Sequence, residues 1–130
     1  GHAGLFGTAE GVGAFARIAL QAARGVAGLP PPFAADLMRV FVAKSVVPGS
    51  SRALGWDTML PTSSCGVRMS PAAFGHVGFT GTSLWLDPGS DTYVVLLTNS
   101  IHVRGSAPIS ELRGDVATAS ARALHLYGSG

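Results

Sequence analysis

Charge is scarce in this sequence. Lys, Arg, Asp and Glu together make up 12% of its 130 residues, where an average soluble domain carries roughly 25%. Apolar residues reach 47%, more than one core of this size needs. Three classes fit such a balance: a membrane protein, a subunit of an assembly, or a piece of a larger body. Long apolar runs are also missing. None approaches the ~20 residues that span a bilayer, because Gly, Ser, Arg or Pro interrupts every few positions. No membrane span is expected, and a piece or a subunit remains. The net charge is only +2, and the arginines are scattered without a basic run, which argues against nucleic acid. Cys65 is the single cysteine, which excludes an internal disulfide and a zinc site with several thiolates. No pair of histidines has metal-ligand spacing, and no phosphate loop ending in Gly-Lys-Ser/Thr is present. No cofactor or metal is expected.

Lysine is nearly absent too. Lys44 is the only one, and Phe41 lies three residues before it, so there is no Ser-x-x-Lys. Val95 follows Tyr93 at the second position and Ser129 follows Tyr127, so there is no Tyr-x-Asn, and no Gly-x-Ser-x-Gly elbow occurs. Catalysis by covalent intermediates needs an activated nucleophile, and the sequence offers none. The Ser63-Ser64-Cys65 triplet has no base beside it and reads as loop. The opening Gly1-His2-Ala3-Gly4, without a starting Met, reads as a fragment or processed chain, and residues 128–130 as a flexible tail after a 1–127 body.

Several elements are nevertheless signalled. Thr8 caps a helix with Glu10 in its first turn. Val12, Phe15, Ala19 and Ala22 give it one apolar stripe, and Gly25 and Gly28 stop it. Pro30-Pro31-Pro32 breaks the chain. Phe33, Leu37, Val40 and Phe41 predict a second short amphipathic helix, with Asp36 early and Lys44 late. Ala53 to Met59 is a weaker strand around Trp56, and Pro61 to Ser70 a polar loop. Strands are expected from about Phe74 to Phe79, Thr82 to Asp87 and Thr92 to Thr98, the last two joined by the Asp87-Pro88-Gly89-Ser90-Asp91 turn. Tyr93-Val94-Val95-Leu96-Leu97 shows no polar alternation, so both its faces should be covered. A final helix runs from about Ser110 to Leu126, with Leu112, Val116, Ala119 and Ala123 as its stripe. Strands joined by short turns are antiparallel, so the chain reads as α+β, an antiparallel sheet flanked by helices.

The stretch where chemistry would sit is Phe74 to Pro88. His76 lies between Gly75 and Gly78 at the start of a strand, where backbone can come close to a ligand. Read by itself, His76 is a strand-start histidine bonded to a nearby carbonyl, and Gly78 and Gly81 read as well as ordinary turn or bulge residues. His2 reads as a loop residue, His102 and His125 as surface residues, and Asp57 as a strand-end carboxylate.

Residues Phe74 to Asn99 resemble the third conserved block of the serine β-lactamase and penicillin-binding-protein superfamily, in its class C-like branch of β-lactamases, esterases and D-amino-peptidases. There a Lys-Thr-Gly or His-Thr-Gly opens a strand, and a Thr-Gly, a Pro turn and an apolar strand ending in Thr-Asn follow. Here the residues are His76-Val77-Gly78-Phe79-Thr80-Gly81, Ser83 to Asp87, and Tyr93 to Asn99. Gly1 to Ala9 resembles the family's Gly-x-Ala-Gly-Leu-x-Ser-Thr-Ala helix entry, Leu54-Gly55-Trp56 its Leu-Gly-Trp strand, and Ile109 to Leu126 its C-terminal helix.

The resemblance implies the C-terminal portion of a serine hydrolase that works through an acyl-enzyme. In such a site His76 would position a substrate carboxylate or support the proton network. Gly78 would let substrate lie along the strand, and the Phe79 N–H would be half of an oxyanion hole. Val77 and Thr80 would line the substrate. Val77 stands where the family usually has threonine, which shifts the expectation from β-lactam or peptide substrates toward esters or a degenerate site. The first two motif blocks lie upstream in the family. The implied partner is therefore the missing N-terminal half or a second copy, and the implied compartment is periplasmic or extracellular.

Overall fold

The computed structural model describes residues 4–127. The expectations for His2, for the first residues of the helix entry and for the 128–130 tail fall outside them. Helix α1 spans Ala9–Ala23. It starts where the Thr8 hydroxyl accepts the Gly11 N–H at 3.2 Å, which satisfies one orphan donor of the first turn. It ends because Gly25 takes φ +84°, so that Gly25 N–H reaches Ala22 O and Val26 N–H reaches Gln21 O, a Schellman closure. Helix α2 spans Ala35–Phe41. Strand β1 is only Asp57–Thr58, β2 is Phe74–Val77, β3 is Ser83–Asp87 and β4 is Thr92–Leu96. Helix α3 spans Ile109–Ala123 and closes like α1, with His125 in the left-handed position. No described helix is long and apolar enough to cross a membrane.

The sheet runs in the order β1-β2-β3-β4, antiparallel throughout. The expected meander is therefore present, as is the α+β class. Register decides what each face carries. Phe74, Leu86 and Tyr93 are cross-strand neighbours, as are Gly75, Trp85 and Val94. Residues opposite one another share a face, and successive residues alternate. The first set packs on α1, whose Ala16, Ala19, Leu20 and Ala22 form a core with Phe74 and Leu86. Small residues let the helix come close: Gly13 lies under Tyr93, whose hydroxyl would be 2.8 Å from any Cβ there. The second set packs under α3, where Trp85 meets Ala117, Cys65, Met69 and Ala73. Strand β4 thus has a helix on each face, as its apolar sequence predicts, yet its residues are only half-buried.

Three expectations need correction. The α3 stripe is rotated: Ala117 and Ala121 are buried while Leu112 is 46% exposed. In α2 only Met38 is buried, and Leu37, Val40 and Phe41 are exposed. Leu54 and Gly55 form a turn, with Gly55 at φ +78°, rather than a strand. Trp56 leaves that turn to pack edge-on against Phe74 at 5.0 Å between ring centroids.

The Pro61–Ser70 loop is tied down by its polar side chains. Ser63 Oγ accepts the Leu60 N–H and donates to Thr58 O. Ser64 Oγ accepts the Trp85 indole N–H at 3.3 Å. Asp87 is buried and accepts from Ser70 N–H at 2.9 Å, from the Ser70 hydroxyl and from Gly89 N–H. Burial, with a smaller contribution from the Asp87 charge, pushes the Cys65 thiol up to about 11. A group whose pKa is raised by folding stabilises the fold below its unfolded pKa and loses that contribution as pH rises toward the folded value. The urea midpoint should therefore fall between pH 9 and pH 11, and part of that fall should vanish in Cys65→Ala. Identical pH profiles for the two proteins would contradict this assignment.

Candidate active site

The candidate residues converge at the far end of the β2–β3 hairpin. Gly78 N–H donates to Thr82 O at 2.8 Å, and Gly81 N–H donates to Gly78 O at 3.1 Å. These two bonds fold Gly78 to Gly81 into a tight turn. A side chain at position 78 would displace the Thr82 hydroxyl, whose Oγ1 occupies the place of a Cβ. Gly81 holds φ +112°, a backbone conformation that glycine adopts without steric cost. A second segment buttresses the turn from behind. Thr98 Oγ1 donates to Gly81 O at 2.7 Å, and Ser100 N–H donates to Thr80 O at 2.9 Å.

His76 sits in β2 opposite Leu84, on the sheet face that carries α1, and its side chain is exposed. Its Nδ1 lies 2.8 Å from Val77 O. A carbonyl oxygen only accepts, so Nδ1 carries the proton. That leaves Nε2 free, as an acceptor in the neutral ring and a second donor in the imidazolium. Strand β1 pairs only with Phe74 and Gly75. Beyond Gly75 the outer edge of β2 has no partner strand among the described residues. Gly78 hydrogen-bonds inward to β3, so by alternation Val77 directs its N–H and C=O to that open edge. Phe79, 81% exposed, follows at the turn. Thr80 serves the turn through its carbonyl. The geometry therefore gathers an imidazole, the bare backbone of Gly78, and a strand edge without a partner strand among the described residues. No group of acidic, His or Cys residues suited to a metal occurs among the described residues.

A model of the beta-lactamase family matches residues 1–117, from before α1 through all four strands and into α3. The chain belongs to the beta-lactamase family. Two relatives, from Escherichia coli O157:H7 and from strain K12, are both named "Putative D-alanyl-D-alanine carboxypeptidase" and are 33% identical to it over 107 residues. The aligned part is 78% of this chain and 24% of each relative, so the chain spans about a quarter of the relatives' length. No solved structure matches. The family read from Phe74 to Asn99 is thus established.

Within this beta-lactamase-family chain, sequence reasoning passed over the turn's supports. Thr98 stood in the recognised Thr-Asn strand end, which was a usable signal. Arg113, whose Nη2 donates to Gly78 O at 2.7 Å, was hidden by the misplaced α3 stripe. On the face that is actually buried, Arg113, Ala117 and Ala121 recur every four residues, so a half-buried arginine there was visible in principle. Ser63, Ser64 and Cys65 are structural, as expected of a loop. His102 and His125 are exposed.

Proposed function

We propose that this chain supplies one wall of a serine acyl-transfer site, with the nucleophile carried on a Ser-x-x-Lys segment outside these residues. The observation that carries the reading is the end of β2, where His76, the bare backbone at Gly78 and the Phe79 N–H meet an unpaired strand edge. An acyl substrate lying along that edge needs just such a surface, because a tetrahedral oxyanion requires fixed donors with no bulk in the way. His76 Nε2 supports the proton network or holds a substrate carboxylate. The relatives' names point to peptides ending in D-alanine. Val77, which lacks the usual hydroxyl, tilts the choice toward esters.

The remaining machinery belongs on a segment that pairs with β4. The outer edge of β4 has no strand beside it among the described residues, and such edges recruit partners. Leu97 at its end is 44% exposed, and Leu112 and Ile101 are exposed as well. A surface buried against a partner need not be polar, which accounts for the low charge content. The non-catalytic alternative, an assembly module with the family fold, rests on the same open edge.

The 130-residue chain by itself is expected not to hydrolyse p-nitrophenyl esters, a chromogenic cephalosporin or a D-alanyl-D-alanine peptide above background. Co-expression with the preceding segment of its parent protein should restore turnover and protect the Val94 to Leu97 amides from hydrogen exchange. In that complex His76→Ala should lower kcat about 10²-fold, the lower range for a group that handles a proton. Turnover by the chain alone, lost on mutating one of its own serines, would refute the division of labour. A protected β4 edge without any turnover would favour the assembly module.

A further inference from the structure

The peptide unit between Gly78 and Phe79 is fixed through its carbonyl, and the unit before it through its N–H. Gly78 N–H is bonded to Thr82 O, and Gly78 O accepts from Gly81 N–H and from Arg113 Nη2 at 2.7 Å. A carbonyl oxygen has two acceptor sites, and both are filled. The oxygen at one end of this unit and the Phe79 N–H at the other belong to the same conjugated plane. Whatever fixes the carbonyl therefore fixes the direction of that N–H.

Arg113 reaches this carbonyl from the first half of α3. Its Nε is buried and has no hydrogen-bond partner among the described residues. The ion pairs found involve Arg17, Arg24 and Arg52, not Arg113. Burial lowers the guanidinium's pKa from its ordinary value, yet arginine stays charged in proteins. Among the described residues no carboxylate pairs with it, and a half-buried cation without a counter-charge carries a desolvation cost. Here its hydrogen bond ends on the carbonyl of the peptide that carries the Phe79 N–H, in the turn that follows the open end of β2.

We propose that Arg113 is a positioning residue for the Phe79 N–H, orienting and polarising the Gly78–Phe79 peptide so that it stabilises a developing oxyanion. This rests on the acyl-transfer reading above. Hydrogen bonds in series strengthen one another, by about 10–30% per bond, so donation to Gly78 O makes the Phe79 N–H a better donor. The unneutralised guanidinium also places positive potential behind the site. Both effects act on charge that appears only in the transition state, and such interactions raise kcat without tightening substrate binding.

Gly78-Phe79 is the only Gly-Phe step in the sequence. Carbonyl-¹³C glycine with ¹⁵N phenylalanine therefore gives a single carbonyl–amide NMR cross-peak for this peptide. In Arg113→Met that peak should move in both dimensions, and Arg113→Lys should bring it part of the way back. In the complete, active complex Arg113→Met should lower kcat about tenfold or more with KM within about twofold. Arg113→Lys should recover part of the loss. Arg113→Gln serves as a second charge-removing variant if the methionine variant fails to fold, with thermal midpoints read alongside. An unmoved cross-peak overturns the proposal, and so does a loss confined to KM or one that follows the thermal midpoint alone. Absence of turnover in the unsubstituted complex overturns the acyl-transfer reading itself, and this proposal with it. A kcat unchanged by Arg113→Met overturns only the role of Arg113.

Discussion

Gly75→Val should unfold most of the molecule under conditions where the natural chain is folded. Gly75 lies in β2 opposite Trp85. A Cβ there would run into the backbone oxygen of Leu84 and come within 2.6 Å of Trp85 Cε3. Neither obstacle can step aside. The Leu84 carbonyl belongs to the β2–β3 ladder, and the indole is wedged under α3 with 2% exposure. Overpacking a tight core costs about 1–3 kcal/mol for additions that partly relax. Here three carbons enter a space that does not admit one, so a loss of about 3 kcal/mol or more is expected. Urea unfolding followed by tryptophan emission would measure it. A midpoint within experimental error of the natural chain would show that β2 and β3 are not in this register. Gly75→Ala should lie between the two.

Trp85→Ala attacks the same contact from the other side. Trp85 is the largest fully buried side chain and the centre of the core beneath α3, touching Cys65, Met69, Ala73 and Ala117. Truncating a buried aromatic to alanine costs about 3–5 kcal/mol, because apolar burial is lost and a cavity remains. A single domain has only about 5–15 kcal/mol in hand, so the variant should be marginal at 25 °C. The Ser64 hydroxyl would also lose its indole partner. Trp85→Phe keeps most of the contact and should lose much less. The two sites should not be additive. In a cycle combining Gly75→Val with Trp85→Ala, the second substitution makes room for the first. The rescue should be partial, since the Leu84 carbonyl remains in the way. Strict additivity would argue that the indole does not lie over Gly75.

Much of this arrangement was legible in the sequence, for identifiable reasons. The β2–β3–β4 meander follows from strand-forming runs separated by glycine-rich and Pro-Gly turns. These signals are local, and local turn chemistry fixes antiparallel pairing. Helix α1 was readable because a threonine cap and a terminating glycine bracket it. The second half of its predicted stripe, Ala19 and Ala22, is buried, whereas Phe15 in the first half is 43% exposed. The family was readable because four motifs occur in order, each weak alone.

The misreadings share one cause. In α3 the core-facing positions are Ala117 and Ala121, with Arg113, Gly114 and Thr118 alongside, while Leu112 faces away. The hydrophobic pattern favours the large residues. The packing favours the small ones, because the loop backbone at Gly66 lies against α3 so closely that a Cβ there would meet Gly114 O at 2.7 Å. Helix α2 repeats the lesson with Met38 buried and Val40 exposed. An exposed leucine or valine is ordinary in a folded protein, so apolar character by itself does not set the phase of a short helix.

What the sequence determined by itself was the inventory: antiparallel strands between helices, a glycine-bracketed histidine, and no Ser-x-x-Lys or Tyr-x-Asn. These depend on residue type and short spacing alone. What only the tertiary structure decided was which groups meet. The His76 ring turns to the Val77 carbonyl, which leaves Nε2 free. Thr98 and Ser100 brace the turn from some 20 residues away. Arg113, 35 residues from Gly78, reaches under the peptide that presents the Phe79 N–H. Contacts at such separations depend on how α3 seats on the sheet, and that seating is set by the close approach of backbone to backbone.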